Sequence, residues 1–131
     1  LYFISGLLGA GLHILLTPYG DIPAVGASGA VFGVMAAFAT LYPHRKLGIF
    51  MFFGFLILPA WLVVVFFTVF ELMYFIFGVY DSIAHAAHLG GMLAGFLIAW
   101  VHKVRMETFR RPVEHVVVVY GGYEEDYDYY Y

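Results

Sequence analysis

Cysteine is absent from this chain of 131 residues, and charge is scarce: Asp, Glu, Lys and Arg together make up 11%. Without a thiol there are no disulfides and no thiolate chemistry. Soluble domains carry about 25% charged residues, so a chain this poor in charge has little with which to face water. The net charge of −3 lacks the cationic footprint of a nucleic-acid binder, and no nucleic-acid partner is expected. No secretory signal is expected either. Leu1–Leu16 is apolar from its first residue, with no cationic start and no small-residue cleavage site after it. A hydrophobic beginning without Met is expected of a chain that starts inside a larger protein.

What fills the sequence instead is apolar: 63% hydrophobic and 21% aromatic, with 14 Phe and 11 Tyr. A soluble domain of this length has too little interior to hide so much apolar surface. The expected solvent is the lipid bilayer. Four apolar segments stand out. Leu1–Leu16 ends at the turn-rich stretch Thr17-Pro18-Tyr19-Gly20-Asp21, and Ser28–Tyr42 ends at Pro43. A long run from Leu47 to Gly78 is divided by Pro59, and the last segment covers Ile83–His102. Ala60–Gly78 is long enough to cross a hydrocarbon core of about 30 Å as a helix rising about 1.5 Å per residue. Leu47–Leu58 is expected to be an apolar connector lying at the interface or re-entering, because Gly48, Gly54 and Pro59 argue against one continuous helix. The expected fold class is an all-α, polytopic membrane helical bundle over residues 1–105. Residues 106–131 read as a solvated, flexible tail, acidic and rich in Tyr, with Val116–Val119 its candidate strand.

Charge sets the orientation. Arg45 and Lys46 follow the second segment, and Lys103, Arg105, Arg110 and Arg111 follow the fourth. The other two connections carry Asp21 and Asp81 and no cation. Alternating spans put both cationic stretches on one side, which the positive-inside rule makes cytoplasmic. The expectation is an integral, multi-pass protein of a bacterial plasma membrane with its C-terminal tail in the cytoplasm.

Two short stretches concentrate the chemistry. Gly26-Ala27-Ser28-Gly29 heads the second segment, and Ala87-His88-Leu89-Gly90-Gly91 lies near the head of the fourth. A serine at a helix start sits beside backbone N–H groups that have no intrahelical acceptor, where the helix dipole is positive. A histidine on a neighbouring helix supplies a base for the hydroxyl proton. Ser28 and His88 each lie 15 residues before a cytoplasmic boundary, Pro43 and Lys103. As helices, both stand about 22 Å above that boundary, with roughly 8 Å of hydrocarbon beyond. Serine and histidine are thus expected at one level. Gly29 and Gly33, one turn apart, and Gly91 and Gly95, also one turn apart, form small faces that let two helices approach closely. Gly26 permits a sharp entry, the N–H groups of Ser28 and Gly29 are candidate oxyanion donors, and Phe32 lies one turn past Ser28, placed to pack on the imidazole.

Plainer readings compete. A serine at a helix start is most often a cap, glycine spacing in membrane helices is mostly packing, and a lone histidine on an apolar helix is usually a packed, hydrogen-bonded residue. The conjunction carries the catalytic reading. His85 is the rival base, but it lies one turn nearer the outer surface than His88 and lacks the level match with Ser28. His85 and His88 share a face that suits a metal, yet only Glu71 and Asp81 are plausible further ligands, so no metal and no cofactor is expected. Glu71 reads as a structural carboxyl more readily than as a catalytic one.

These residues resemble the rhomboid intramembrane serine proteases. The resemblance rests on Ala24-Val25-Gly26-Ala27-Ser28-Gly29-Ala30-Val31-Phe32-Gly33, on Tyr42-Pro43, and on Ala87-His88-Leu89-Gly90-Gly91 followed by Gly95; it covers about residues 1–105. It implies a Ser–His dyad, Ser28 as nucleophile and His88 as base, cleaving transmembrane protein substrates near the outer membrane face. Phe32 matches an aromatic position packed on the base, and Gly29 a small residue beneath it. The four segments resemble the third to sixth of the family's core helices. The first two, with an HxxxN motif that helps bind the oxyanion, are absent, and His13 is no substitute because the sequence contains no Asn. Those N-terminal helices are then partners the fold needs, and the segment by itself is expected to be inactive. The alternative is a rhomboid-like pseudoprotease that binds transmembrane clients without cutting them; a generic transporter fragment is a third reading.

Overall fold

The computed structural model describes residues 1–17, 26–51, 54–77, 83–109, 117–120 and 123–126. Four helices and two hairpins follow in order: α1 (Tyr2–Leu16), α2 (Ser28–Leu41), β1 (Lys46–Met51), β2 (Gly54–Pro59), α3 (Ala60–Phe77), α4 (His85–Phe109), β3 (Val117–Tyr120) and β4 (Tyr123–Asp126). Asp21, Asp81, Arg110 and Arg111 lie outside the described residues.

Each apolar segment of the sequence holds one helix, with boundaries set by local chemistry. Pro43 forces α2 to end, since a proline disfavours helical geometry in the residue before it. Pro59 stands immediately before α3, whose first N–H groups have no acceptor within the helix. Ala60 N–H donates to the Arg45 carbonyl (2.8 Å) and Trp61 N–H to that of Pro43 (3.1 Å), which ties the start of α3 to the exit from α2. At the other end of the chain, α4 runs past His102 to Phe109. Lys, Arg, Met and Glu are all good helix formers, so the helix outlasts its apolar stretch.

The expected connector at Leu47–Leu58 is a β-hairpin. Strands β1 and β2 pair antiparallel from Lys46↔Pro59 to Met51↔Gly54. Pairing satisfies backbone groups that an irregular apolar segment beside lipid leaves without partners. The Phe55 ring lies over Gly48, where an added Cβ would overlap it. A second antiparallel pair, β3 with β4, joins Val117↔Asp126 through Tyr120↔Tyr123. The tail strand therefore has a partner within the acidic stretch that the sequence suggests is solvated. The fold is mostly helical rather than all-α.

Helices α1, α2 and α4 pack through small residues. On α2 the buried set is Gly29, Ala30, Gly33, Ala36, Ala37 and Ala39, which follows the helical period and makes one continuous small face. A Cβ on Gly91 would overlap the Gly29 carbonyl oxygen, and one on Gly95 that of Gly33. Helix α1 enters the same contact, because a Cβ on Gly9 would overlap the Ala87 carbonyl oxygen. Backbone therefore lies directly on backbone, the geometry that small residues permit in helix packing within lipid. Helix α3 is held differently. It buries only Ala60, Val63 and Glu71, and a cavity of about 400 Å³ bounded by Ala36, Thr40, Trp61, Thr68, Met92 and Phe96 opens along part of its contact with α2 and α4. Among the described residues, α3 and α4 are the helices long and apolar enough to cross a membrane.

Candidate active site

The entry to α2 begins with Gly26, whose φ of +117° lies in the region that side chains disfavour. No atom lies within 4 Å of where its Cβ would be, so backbone conformation alone accounts for glycine here. The turn puts Ala27 at the cap position and Ser28 first in the helix, with no side-chain cap hydrogen bond. Ser28 is therefore not spent as a cap. Its Oγ lies 2.7 Å from His88 Nε2 on α4, a hydrogen bond between residues 60 apart in sequence.

Close backbone approach makes that contact possible. A Cβ on Gly29 would come within 2.9 Å of the Ala87 carbonyl oxygen, one residue before His88. The Phe32 ring stacks beside the imidazole at a centroid distance of 4.5 Å and an angle of 36°. Phe67 of α3 meets the edge of Phe32 at 5.7 Å. His88 is 8% exposed, whereas Ser28 is open to approach. Beside Ser28 a recess of about 60 Å³ is walled by Gly6, Ala10, Gly29, Ala84 and Ala87. It faces the first turn of α2, where the N–H groups of Ser28 and Gly29 have no acceptor within the helix.

The structure thus brings together Ser28, His88, Gly29 and Phe32, with Gly33, Gly91 and Gly95 forming the seam below and Gly26 the entry above. Glu71, read from the sequence as a structural carboxyl, lies beside the Ser28–His88 pair. This carboxylate is 6% exposed and faces two imidazoles. Its Oε2 lies 2.6 Å from His85 Nδ1. Its Oε1 lies 3.0 Å from His88 Nδ1, within ion-pair distance though off the line of a hydrogen bond. His85, the rival base, is thus turned toward Glu71, with the Tyr74 ring at 5.2 Å. The buried face of α3 supplied the signal: Val63, Phe67 and Glu71 recur at helical spacing. Also missed was the part of α1, where Ser5 packs against Gly33 and is fully buried.

Glu71, His85 and His88 offer three donor atoms within 4.8 Å of one another. Two atoms on one tetrahedral zinc, each about 2.0–2.1 Å from it, stand roughly 3.3 Å apart. The 2.6 Å and 3.0 Å spacings here are those of carboxylate–imidazole contacts.

The rhomboid domain family model matches residues 1–105. Rhomboid protein 1, mitochondrial, of Saccharomyces cerevisiae is 34% identical over 99 residues, covering 68% of this chain and 25% of that protein. The chain thus spans a quarter of the length of this curated relative. No solved structure matches. With the glycine-packed apolar helices and a family match that covers most of its length, the chain belongs to the rhomboid family of membrane proteins.

Proposed function

We propose that the chain forms the catalytic part of an intramembrane serine endopeptidase, with Ser28 as nucleophile and His88 as general base. The observation that carries this reading is the 2.7 Å contact between Ser28 Oγ and His88 Nε2. Ser28 attacks the scissile carbonyl of a transmembrane protein substrate while its proton passes to His88 Nε2. The oxyanion forms beside the first turn of α2, within reach of the Ser28 and Gly29 N–H groups. His88 then returns the proton to the leaving amine, and later activates the water that cleaves the acyl-enzyme.

In the membrane we infer four segments, α1 to α4, corresponding to the family's third to sixth core helices. The first two come from sequence outside this chain and complete the oxyanion site. Arg45 and Lys46, with the Lys103–Arg111 stretch, face the cytoplasm, or the equivalent positive side of the host membrane. Open hairpin edges do not survive in hydrocarbon, so β1–β2 lies at that interface with Phe50, Phe55 and Ile57, all strongly exposed, toward the lipid. Residues 106–131, which begin in the last turn of α4, are placed on the same side.

The test is cleavage of a transmembrane reporter by the intact protein in proteoliposomes. Ser28→Ala and His88→Ala should each abolish turnover while insertion is retained, since removing either member of such a unit loses most of what removing both loses. His85→Ala should be far milder. Activity that survives Ser28→Ala would favour the non-cutting, client-binding reading.

A further inference from the structure

We propose that Glu71 is a positioning residue for His88, so that the functional unit is Ser28–His88–Glu71 with His85 clamping the far carboxylate oxygen. The inference rests on the dyad reading above and extends it by one residue. Glu71 is the one carboxylate of α3, and it sits at the buried face of an otherwise apolar helix. An ionised carboxyl in such surroundings is costly unless both oxygens find partners. Each oxygen of Glu71 faces a histidine Nδ1: Oε2 is hydrogen-bonded to His85 at 2.6 Å, and Oε1 lies 3.0 Å from His88, an ion-pair distance off hydrogen-bond alignment.

The proton inventory makes the arrangement directional. A neutral imidazole carries one N–H, and His88 Nε2 accepts from the Ser28 hydroxyl only when that proton is on Nδ1. Nδ1 is the atom that faces Glu71. A carboxylate there selects the tautomer that leaves Nε2 free to act as base, and it fixes the ring's rotation about its bond to the helix. His85 and His88 are three residues apart on one face of α4, so a single carboxylate reaches both. The titratable groups facing this cluster are Glu71 and Tyr74 from α3, His85 and His88 from α4, and the Ser28 hydroxyl from α2. Phe32 and Tyr74 wall the two rings. Simple glue between α3 and α4 requires only that Glu71 bind one histidine; it does not require the contact with the same ring that holds Ser28.

The experiment uses the intact protein and two readouts. In transmembrane-reporter assays, Glu71→Gln should lower kcat about 10²-fold with KM changed less than about 3-fold, and Glu71→Asp should recover part of the loss. Independently of activity, NMR of protein labelled with ¹⁵N-histidine should show neutral His88 carrying its proton on Nδ1, with that tautomer preference lost in Glu71→Gln. His85→Ala, which removes the partner of the far carboxylate oxygen but not Glu71 itself, should weaken that signal and lower kcat less than Glu71→Gln does. An unchanged His88 signal together with an unchanged kcat in Glu71→Gln would overturn the proposal. Should wild-type protein fail to cleave at all, the dyad reading falls, and the NMR result still decides whether Glu71 sets the His88 tautomer.

Discussion

Replacing Gly91 with alanine adds one methyl group, and the structure says where it goes. The new Cβ would overlap the Gly29 carbonyl oxygen, with the Gly29 carbonyl carbon at 2.7 Å and Cα at 3.1 Å. All three are backbone atoms, so no flexible side chain exists to move aside. Ordinary carbon contacts lie near 3.5–4.0 Å, and reaching them requires α2 and α4 to separate by about 1 Å. Overpacking of this kind costs about 1–3 kcal/mol. The functional consequence is larger. Ser28 Oγ and His88 Nε2 sit on the two helices being separated, 2.7 Å apart. An added 1 Å carries them beyond hydrogen-bond range, and a 1 Å misplacement of reacting groups costs about 10²-fold in rate. Gly91→Ala should therefore lower turnover about a hundredfold, with a measurable fall in thermal stability in detergent. Gly11→Ala is the control: nothing lies within 4 Å of its Cβ position, and Gly to Ala within a helix favours stability by about 0.5–1 kcal/mol. If the two variants match each other in activity and melting, the claim of backbone-on-backbone packing is wrong.

Gly26→Ala tests the entry turn. With open space around it, the substitution acts through its φ of +117° alone and should cost about 1–3 kcal/mol, seen as a lower melting temperature and slower reporter cleavage. Topology is testable by single-Cys labelling, since the chain has no native cysteine. A membrane-impermeant maleimide added from outside should label Asp21→Cys and not Arg45→Cys, and the reverse pattern would invert the orientation.

The four helices were legible as long apolar runs, the second ended by Pro43 and the third opened by Pro59. The Ser28–His88 pairing was legible because equal distances to Pro43 and Lys103 put two residues at one level. The β1–β2 hairpin was not. Leu47–Leu58 is apolar throughout, so alternation gives no signal, and Phe52 and Phe53, between the strands, are not turn-forming residues. Glu71 was half legible: its helical register with Val63 and Phe67 points it inward, but sequence alone cannot say that two histidines wait there. The α1 contacts of Ser5 and Gly9 depend on how three helices meet, which no one-dimensional pattern records.

Covalent trapping tests directly whether Ser28 is the nucleophile and His88 its base. The intact protein is incubated with a fluorophosphonate, and the modified peptide is identified by mass spectrometry. One adduct is expected, on Ser28, whose formation slows by about 10²-fold or more in His88→Ala. An adduct on Ser5 or Ser82 in its place, or a Ser28 labelling rate indifferent to His88, would contradict it.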